Sequence, residues 1–214
     1  MEFIQFMNQF KDEESCRRDL FSLRWPAGYV CLRCDHHLYS YIQSRDLYEC
    51  LGCGFQCSVT AGTMMHGTRL PLSYWYFTMF WMASGTVCSA RKLSQTLTIN
   101  YRSALRMMHA IRASMRKSTG NHILDVEKAF IRKSMEAELI NQIKRTKAFL
   151  LQKANRFIQA AYLKVSDRYL QSYLNEFFFH HLGRFLSTSE RLAGVMESAL
   201  LPRLKCTLSL AHLH

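Results

Sequence analysis

Residues 51–124 contain no aspartate and no glutamate, and Arg69, Arg91, Lys92, Arg102, Arg106, Arg112, Arg116 and Lys117 stand there without a carboxylate. There is also no apolar run of the roughly 20 residues that cross a bilayer. The most apolar stretch, residues 70–83, is interrupted by Pro71, so a membrane span is excluded. The N-terminus carries Asp12, Glu13 and Glu14 and lacks the basic start and apolar run of a secretory signal. A cytoplasmic location with reduced thiols is therefore expected. Proline occurs 3 times, and 49% hydrophobic against 21% charged residues excludes a disordered tail. The length allows one or two domains with a real core and is too short for several complete catalytic domains.

The charge is unevenly spread. Residues 1–50 are net −2, residues 51–124 are +8 and residues 125–214 are +6, within a formal total of +12. A phosphate backbone rewards an acid-free, arginine-bearing stretch, because each neutralised phosphate releases counterions and no local carboxylate repels it. Nucleic acid is the expected partner. A solvated basic surface or an anionic membrane surface is the alternative that charge alone leaves open.

Of 8 cysteines, four form Cys31-Leu32-Arg33-Cys34 and, after fifteen residues, Cys50-Leu51-Gly52-Cys53. This C-x2-C-x15-C-x2-C spacing is that of a four-thiolate zinc site. Two residues between thiolates let one tight knuckle present both sulfurs to one ion, and two knuckles complete a tetrahedron. Gly54 supplies the permissive backbone after the second pair; after the first, Asp35 takes that place and tolerates left-handed geometry better than most residues. Residues 38–48 read as strand, turn around Ser44-Arg45-Asp46, and strand, hence a zinc ribbon. A closed four-cysteine site is structural and leaves no open position for catalysis. Paired disulfides or free core thiols are the alternative. His36 and His37 read as exposed residues of the ribbon tip, with substitution as ligands the other option. Cys16, Cys57, Cys88 and Cys206 read as buried small hydrophobes.

Residues 72–82 are long enough for three helical turns and aromatic on nearly every face, which assigns them to a core; a base-stacking platform would want interleaved Lys or Arg. Ser89 can cap a helix running to Leu97, Thr98-Ile99-Asn100 breaks it, and a second helix runs from Tyr101 to Met115. Ala90, Leu93 and Leu97 face Ala104, Met107, Met108 and Ile111 at the spacing by which short helices pack. The pair resembles a helix-turn-helix. In such a unit the start of the second helix reaches base edges. That nominates Asn100, Tyr101, Arg102 and Arg106 for DNA contact, with Arg91, Lys92, Arg112 and Arg116 suited to phosphates. A basic hairpin within a plain helical bundle would look much the same.

Together, Arg24-Trp25-Pro26-Ala27-Gly28-Tyr29-Val30-Cys31-Leu32-Arg33-Cys34 and Tyr48-Glu49-Cys50-Leu51-Gly52-Cys53-Gly54-Phe55-Gln56-Cys57 resemble the zinc-ribbon start of a bacterial insertion-sequence transposase family. Its members follow the ribbon with a helix-turn-helix and an RNase H-like (DDE-type) nuclease domain. The likeness covers roughly residues 10–117, and Tyr169-Leu170-Gln171-Ser172-Tyr173-Leu174-Asn175-Glu176-Phe177 is similar to the family's C-terminal helix. It implies an α+β chain: an N-terminal helix (1–24), a β zinc ribbon (25–62), a helical, helix-turn-helix DNA-binding segment (63–118) and a mostly helical, degenerate remnant of the catalytic domain (119–214).

The middle departs from the family. Its nuclease holds two metal ions on acidic residues from separated strands. Val126-Glu127-Lys128-Ala129-Phe130-Ile131 places Glu127 where the first aspartate would be. Glu136 and Glu138 fall in a polar helical stretch, Asp167 falls at a helix start, and Asn141 with Lys147 is a poor match to the third element. Residues 134–153, 167–181 and 188–201 read as helices, which leaves little chain for a multi-strand sheet. The resemblance thus implies an internally deleted nuclease, with residues 200–214 matching neither family nor element. The expected function is a transposase-related DNA-binding protein that recognises element ends without strand-transfer activity of its own. Its partners would be double-stranded DNA and full-length transposase subunits, in the bacterial cytoplasm at the nucleoid, with structural Zn2+. The alternatives are an active transposase, with Mg2+ or Mn2+ on Glu127, and a zinc-ribbon protein-interaction module. Apolar stripes such as Ile140, Ile143, Phe149 and Leu150 would be partly uncovered if the sheet they once packed on is missing.

Overall fold

A computed structural model describes residues 3–118, 137–162 and 165–200. Glu127 with its segment 126–131, Glu136, Cys206 and the tail 201–214 lie outside the described residues. Where one N-terminal helix was expected over 1–24 there are two, α1 (Phe3–Gln9) and α2 (Glu13–Arg24). The break is set by Asp12, whose extended backbone and carboxylate cap α2: Ser15 N–H donates to Asp12 Oδ1 at 2.7 Å, and Asp12 N–H donates back to Ser15 Oγ at 3.4 Å.

The ribbon strands follow as β1 (Tyr39–Ile42) and β2 (Leu47–Cys50), with a single 3-10 turn, Gln43–Arg45, between them. A short third strand, β3 (Gln56–Cys57), was not legible because two residues carry no alternation. The sheet is antiparallel in the order β1-β2-β3, with Tyr39 opposite Cys50, Ile42 opposite Leu47 and Tyr48 opposite Cys57. Rings take the place of an aliphatic core beside it. Phe21 lies 4.8 Å from Trp25 and 5.0 Å from Tyr48, and Tyr29 lies 5.0 Å from Trp25 and 4.9 Å from Tyr39, centroid to centroid. Such tilted pairs add to the area they bury.

The aromatic stretch forms α3 (Leu72–Ala83), and no residue in it is exposed. Its first turn is capped from α2: Leu72 N–H and Ser73 N–H donate to the Glu13 carboxylate at 2.7 and 2.9 Å, which answers two of the orphan donors of a helix start. Tyr76 Oη donates to Asp19 at 2.8 Å, again onto α2.

The described chain divides into two compact units, one running to Thr78 and taking in Ala199 and Leu200, the other Met79–Ser198. The division therefore falls inside α3 and at neither 62/63 nor 118/119. The second unit contains α4 (Ala90–Thr96), α5 (Tyr101–Ser118), α6 (Ala137–Tyr162) and α7 (Asp167–Leu182), together with most of α8 (Thr188–Leu200). Helix α5 packs on both α4 and α7, and α6 packs on α7. The buried side chains are Leu93 of α4, Ala104, Met107, Met108, Ile111 and Met115 of α5, Ala154 and Ile158 of α6, and Phe177 and Phe179 of α7. Phe149 on α6 is 55% exposed.

Candidate metal centre and nucleic-acid interface

The two cysteine pairs sit on knuckles with the same backbone. Cys31 N–H donates to the His36 carbonyl and Cys50 N–H to the Phe55 carbonyl, each at 2.9 Å, five residues on. Asp35 N–H returns to the Cys31 carbonyl at 3.1 Å and Gly54 N–H to the Cys50 carbonyl at 2.9 Å. Asp35 and Gly54 hold φ of 57° and 66°, so an aspartate occupies the left-handed place that glycine fills in the other knuckle. Amides point at sulfur in both: Arg33 N–H to Cys31 Sγ at 3.4 Å and Gly52 N–H to Cys50 Sγ at 3.3 Å.

The four sulfurs of Cys31, Cys34, Cys50 and Cys53 lie within 4.8 Å of one another. A tetrahedron with Zn–S of about 2.3 Å has edges of about 3.8 Å. Cys31 to Cys53 is 3.7 Å and Cys34 to Cys50 is 3.6 Å, so the donor set fits a structural zinc ion. Burial disfavours the Cys31 thiolate, yet the amides of Arg33 and Cys34 and the Cys50 and Cys34 thiols outweigh it and hold it low, while the neighbouring sulfurs push Cys34 up against the His36 amide, as in a set of thiols that shares its protons. His36 is half-buried and not an exposed tip residue. A Cβ on Gly52 would come within 2.9 Å of its ring, so the glycine admits the imidazole over the second knuckle. His37 is exposed. Cys16, Cys57 and Cys88 are buried, and burial pushes each thiol up, Cys16 and Cys88 to about 12.

The hairpin of α4 and α5 is closely determined. Ser89 caps α4, its Oγ accepting Lys92 N–H at 3.2 Å. Ile99 N–H reaches back to the Ser94 carbonyl at 3.0 Å while Thr98 takes φ of 53°, the left-handed stop of a Schellman end on a residue other than glycine. Asn100 Oδ1 accepts Arg102 N–H at 2.8 Å and opens α5, so part of its side chain is engaged as a cap. Arg91, Lys92, Tyr101, Arg102, Arg106 and Arg116 are exposed. Arg91 and Tyr101 meet with Ser94 and Gln95 along an open cleft of about 580 Å3. Ser94 and Gln95 stand three and four residues after Arg91, on the same helix surface.

Arg112, expected on a phosphate, is instead buried. Its side chain is 1% exposed, and Nε donates to Glu176 Oε2 of α7 at 2.7 Å. Glu176 Oε1 accepts Tyr162 Oη of α6 at 2.8 Å, and the guanidinium stacks 4.1 Å from the Tyr173 ring centroid. The pattern contained the reason, since Arg112 follows Met108 by four residues on the apolar stripe of α5. Desolvation disfavours the Arg112 charge, but Glu176 and the tyrosines outweigh it and hold the guanidinium above its ordinary range. Glu176 is therefore committed to an ion pair, and exposed Asp167 lies in the first turn of α7. Among the described residues, the four cysteines are the group arranged to hold a metal.

Residues 11–56 match the family model described as the transposase zinc-ribbon domain. No curated protein and no solved structure matches the chain. The matched segment covers α2, both knuckles, β1 and β2, and joins the four-cysteine cluster to a transposase-related N-terminus.

Proposed function

We propose that this chain is a transposase-related protein that binds duplex DNA at insertion-sequence ends through α4, the Thr98 turn and α5, with the zinc ribbon as a second element of end recognition and no strand transfer of its own. The observation that carries the reading is the exposure of Arg91, Lys92, Arg102 and Arg106 in a stretch without one carboxylate. The transposase zinc-ribbon match at residues 11–56 supports the choice of DNA over another polyanion. Tyr101, Arg102 and Arg106 open α5 and are suited to base edges; Arg91 and Lys92 on α4 are suited to phosphates.

The test is a gel-shift titration on duplexes carrying element ends and on scrambled duplexes, with Mn2+ present so that cutting and joining are read in the same lanes. Binding that prefers the ends and weakens steeply with salt is expected, without nicked or joined product. Arg106→Ala should cost about 1–3 kcal/mol of binding and relax the preference for the ends. Cleavage lost on Glu127→Ala would replace this reading with that of a working transposase; binding indifferent to salt would replace it with that of a protein-interaction module.

A further inference from the structure

Beside the turn that leads into α4, two side chains converge, each with one buried nitrogen that has no partner. A Cβ placed on Gly85 would stand 3.7 Å from Arg191 Nη1 and 3.7 Å from His180 Nδ1, so both groups approach the bare face of one glycine. Its φ of 85° suits glycine, and Gly85, Thr86 and Val87 are exposed. Arg191 Nε and His180 Nδ1 are buried polar atoms without a hydrogen-bond partner. Among the described residues no carboxylate pairs with Arg191. Its neighbour Glu190 is turned onto the N–H and Oγ of Ser187, both at 2.7 Å, and Glu176 is held by Arg112. A half-buried guanidinium without a counter-charge, its Nε buried without an acceptor, is destabilising, and an anion at the glycine would relieve it. Lys92 Nζ lies 5.2 Å over the Trp81 ring, and the Trp81 carbonyl accepts Ser84 Oγ of the same turn, so the residue that anchors the turn carries a third cation.

We propose that Arg191 and His180 hold one phosphate of the DNA backbone at the Gly85 turn, extending the DNA-contacting surface from α4 and α5 onto α7 and α8. The inference rests on the DNA-binding reading above and adds to it two contact residues outside the helical hairpin. Arg191 offers its donor fork to the phosphate oxygens, and His180 offers Nδ1 when protonated. Burial and Arg191 on α8 disfavour that proton, whereas Glu176 on α7 and the Met82 carbonyl at the end of α3 favour it. A bound phosphate adds negative charge beside the ring, so binding takes up a proton and tightens as pH falls.

The experiment measures anisotropy of a labelled duplex carrying element ends between about 50 and 200 mM salt for the full chain and for Arg191→Met, Arg191→Lys, His180→Gln and Arg106→Ala, each checked for an unchanged helical melt. Arg191→Met should lower the slope of log affinity against log salt by about 0.9, the share of one phosphate, while Arg191→Lys keeps the slope. His180→Gln should lose the tightening between about pH 8 and pH 6. Wild-type slope and affinity in Arg191→Met, with Arg106→Ala weakened, would remove the corner and leave the DNA-binding reading intact. Failure of the wild-type chain to bind the duplex would remove both. Inorganic phosphate that raises the melting temperature of the wild type but not of Arg191→Met, with equal DNA slopes in the two, would overturn the DNA contact in favour of a free-anion site.

Discussion

In the ribbon the strands are 4, 4 and 2 residues long, whereas α5 and α7 run for 18 and 16 residues and face each other with Met, Ile and Phe side chains. The buried residues of 25–62 are few: Trp25, Tyr29, Cys31, Tyr48, Cys50, Cys57 and Val59. A segment of this size buries too little apolar area to offset its chain entropy. Four sulfurs placed to fit one ion, beside the rings of Phe21, Trp25, Tyr29, Tyr39 and Tyr48, supply what aliphatic packing does not. The helical unit has apolar area enough, and it places its polar investment in a single buried pair, Arg112 with Glu176, that ties α5 to α7. One region thus has a donor set fitted to a metal that chelation would remove, the other packing and a charge pair that only substitution can.

The largest expected effect separates the two at once. Cys50→Ser, or a strong chelator, should remove zinc and unfold residues 25–62, since apparent structural-zinc binding in small fingers is on the order of 10–16 kcal/mol. Metal content, together with protease cleavage confined to the ribbon and a retained helical melt, is the expected result. Loss of the helical melt in the same sample would break the comparison, and unchanged metal content would remove the zinc centre.

Next in size is the buried pair. Glu176→Gln leaves the Arg112 guanidinium buried without its counter-charge, and breaking such a pair costs about 3–5 kcal/mol. The melting temperature of the helical unit should drop while zinc content stays constant. The double variant Arg112→Met with Glu176→Met should recover most of the loss, because an apolar pair of similar volume avoids both desolvation penalties. A double variant as unstable as the single one would show that the Tyr162 and Tyr173 contacts, and not the charge, hold the helices together.

What the sequence disclosed of each region follows from how local its determinants are. The knuckles are written in residues two and five apart, so the cysteine spacing, the strand-turn-strand between the pairs and the left-handed place of Asp35 were all readable. The α4–α5 hairpin was readable for the same reason, through Ser89, the break at residues 98–100 and the apolar stripe. Arg112 was misjudged because its partner is 64 residues away, and composition saw a cation where pairing had made an internal one. The break between α1 and α2 rests on the capping role of Asp12, which its charge does not disclose. The division within α3 is likewise tertiary, since an all-round apolar helix does not reveal which core each of its turns serves.

A smaller change sharpens the account of the hairpin. Ser89→Ala removes the acceptor of the Lys92 N–H and should cost about 1 kcal/mol of helical-unit stability, read by denaturant melts at constant zinc content. DNA affinity should fall by the same linkage, with an unchanged salt slope, because a cap orders α4 without touching a phosphate. A changed slope would mean that the hydroxyl itself meets the DNA.

The smallest expected effect is one of pH, and it lies in the helical unit. His109 on α5 is hydrogen-bonded through Nδ1 to Ser172 Oγ of α7 at 2.7 Å and stacked 4.5 Å from the Tyr169 ring, with Nε2 buried and unpartnered. Burial first, then the nearby Arg112 charge, lowers its pKa below the ordinary 6.5. A histidine whose folded value lies below its unfolded one stabilises the fold fully above the unfolded value; that contribution is lost as pH falls through 6.5 towards the folded value. The helical melt should therefore weaken from about pH 7.5 to about pH 5.5, and His109→Gln should flatten part of that slope. His180, lowered by burial and by Arg191, contributes with the same sign. Comparing His109→Gln with the wild type at each pH cancels the acid sensitivity of the zinc thiolates, which both proteins share. An identical pH slope in the two would place the imidazole in contact with water, and the α5–α7 seam would then be looser at Ser172 than at Glu176.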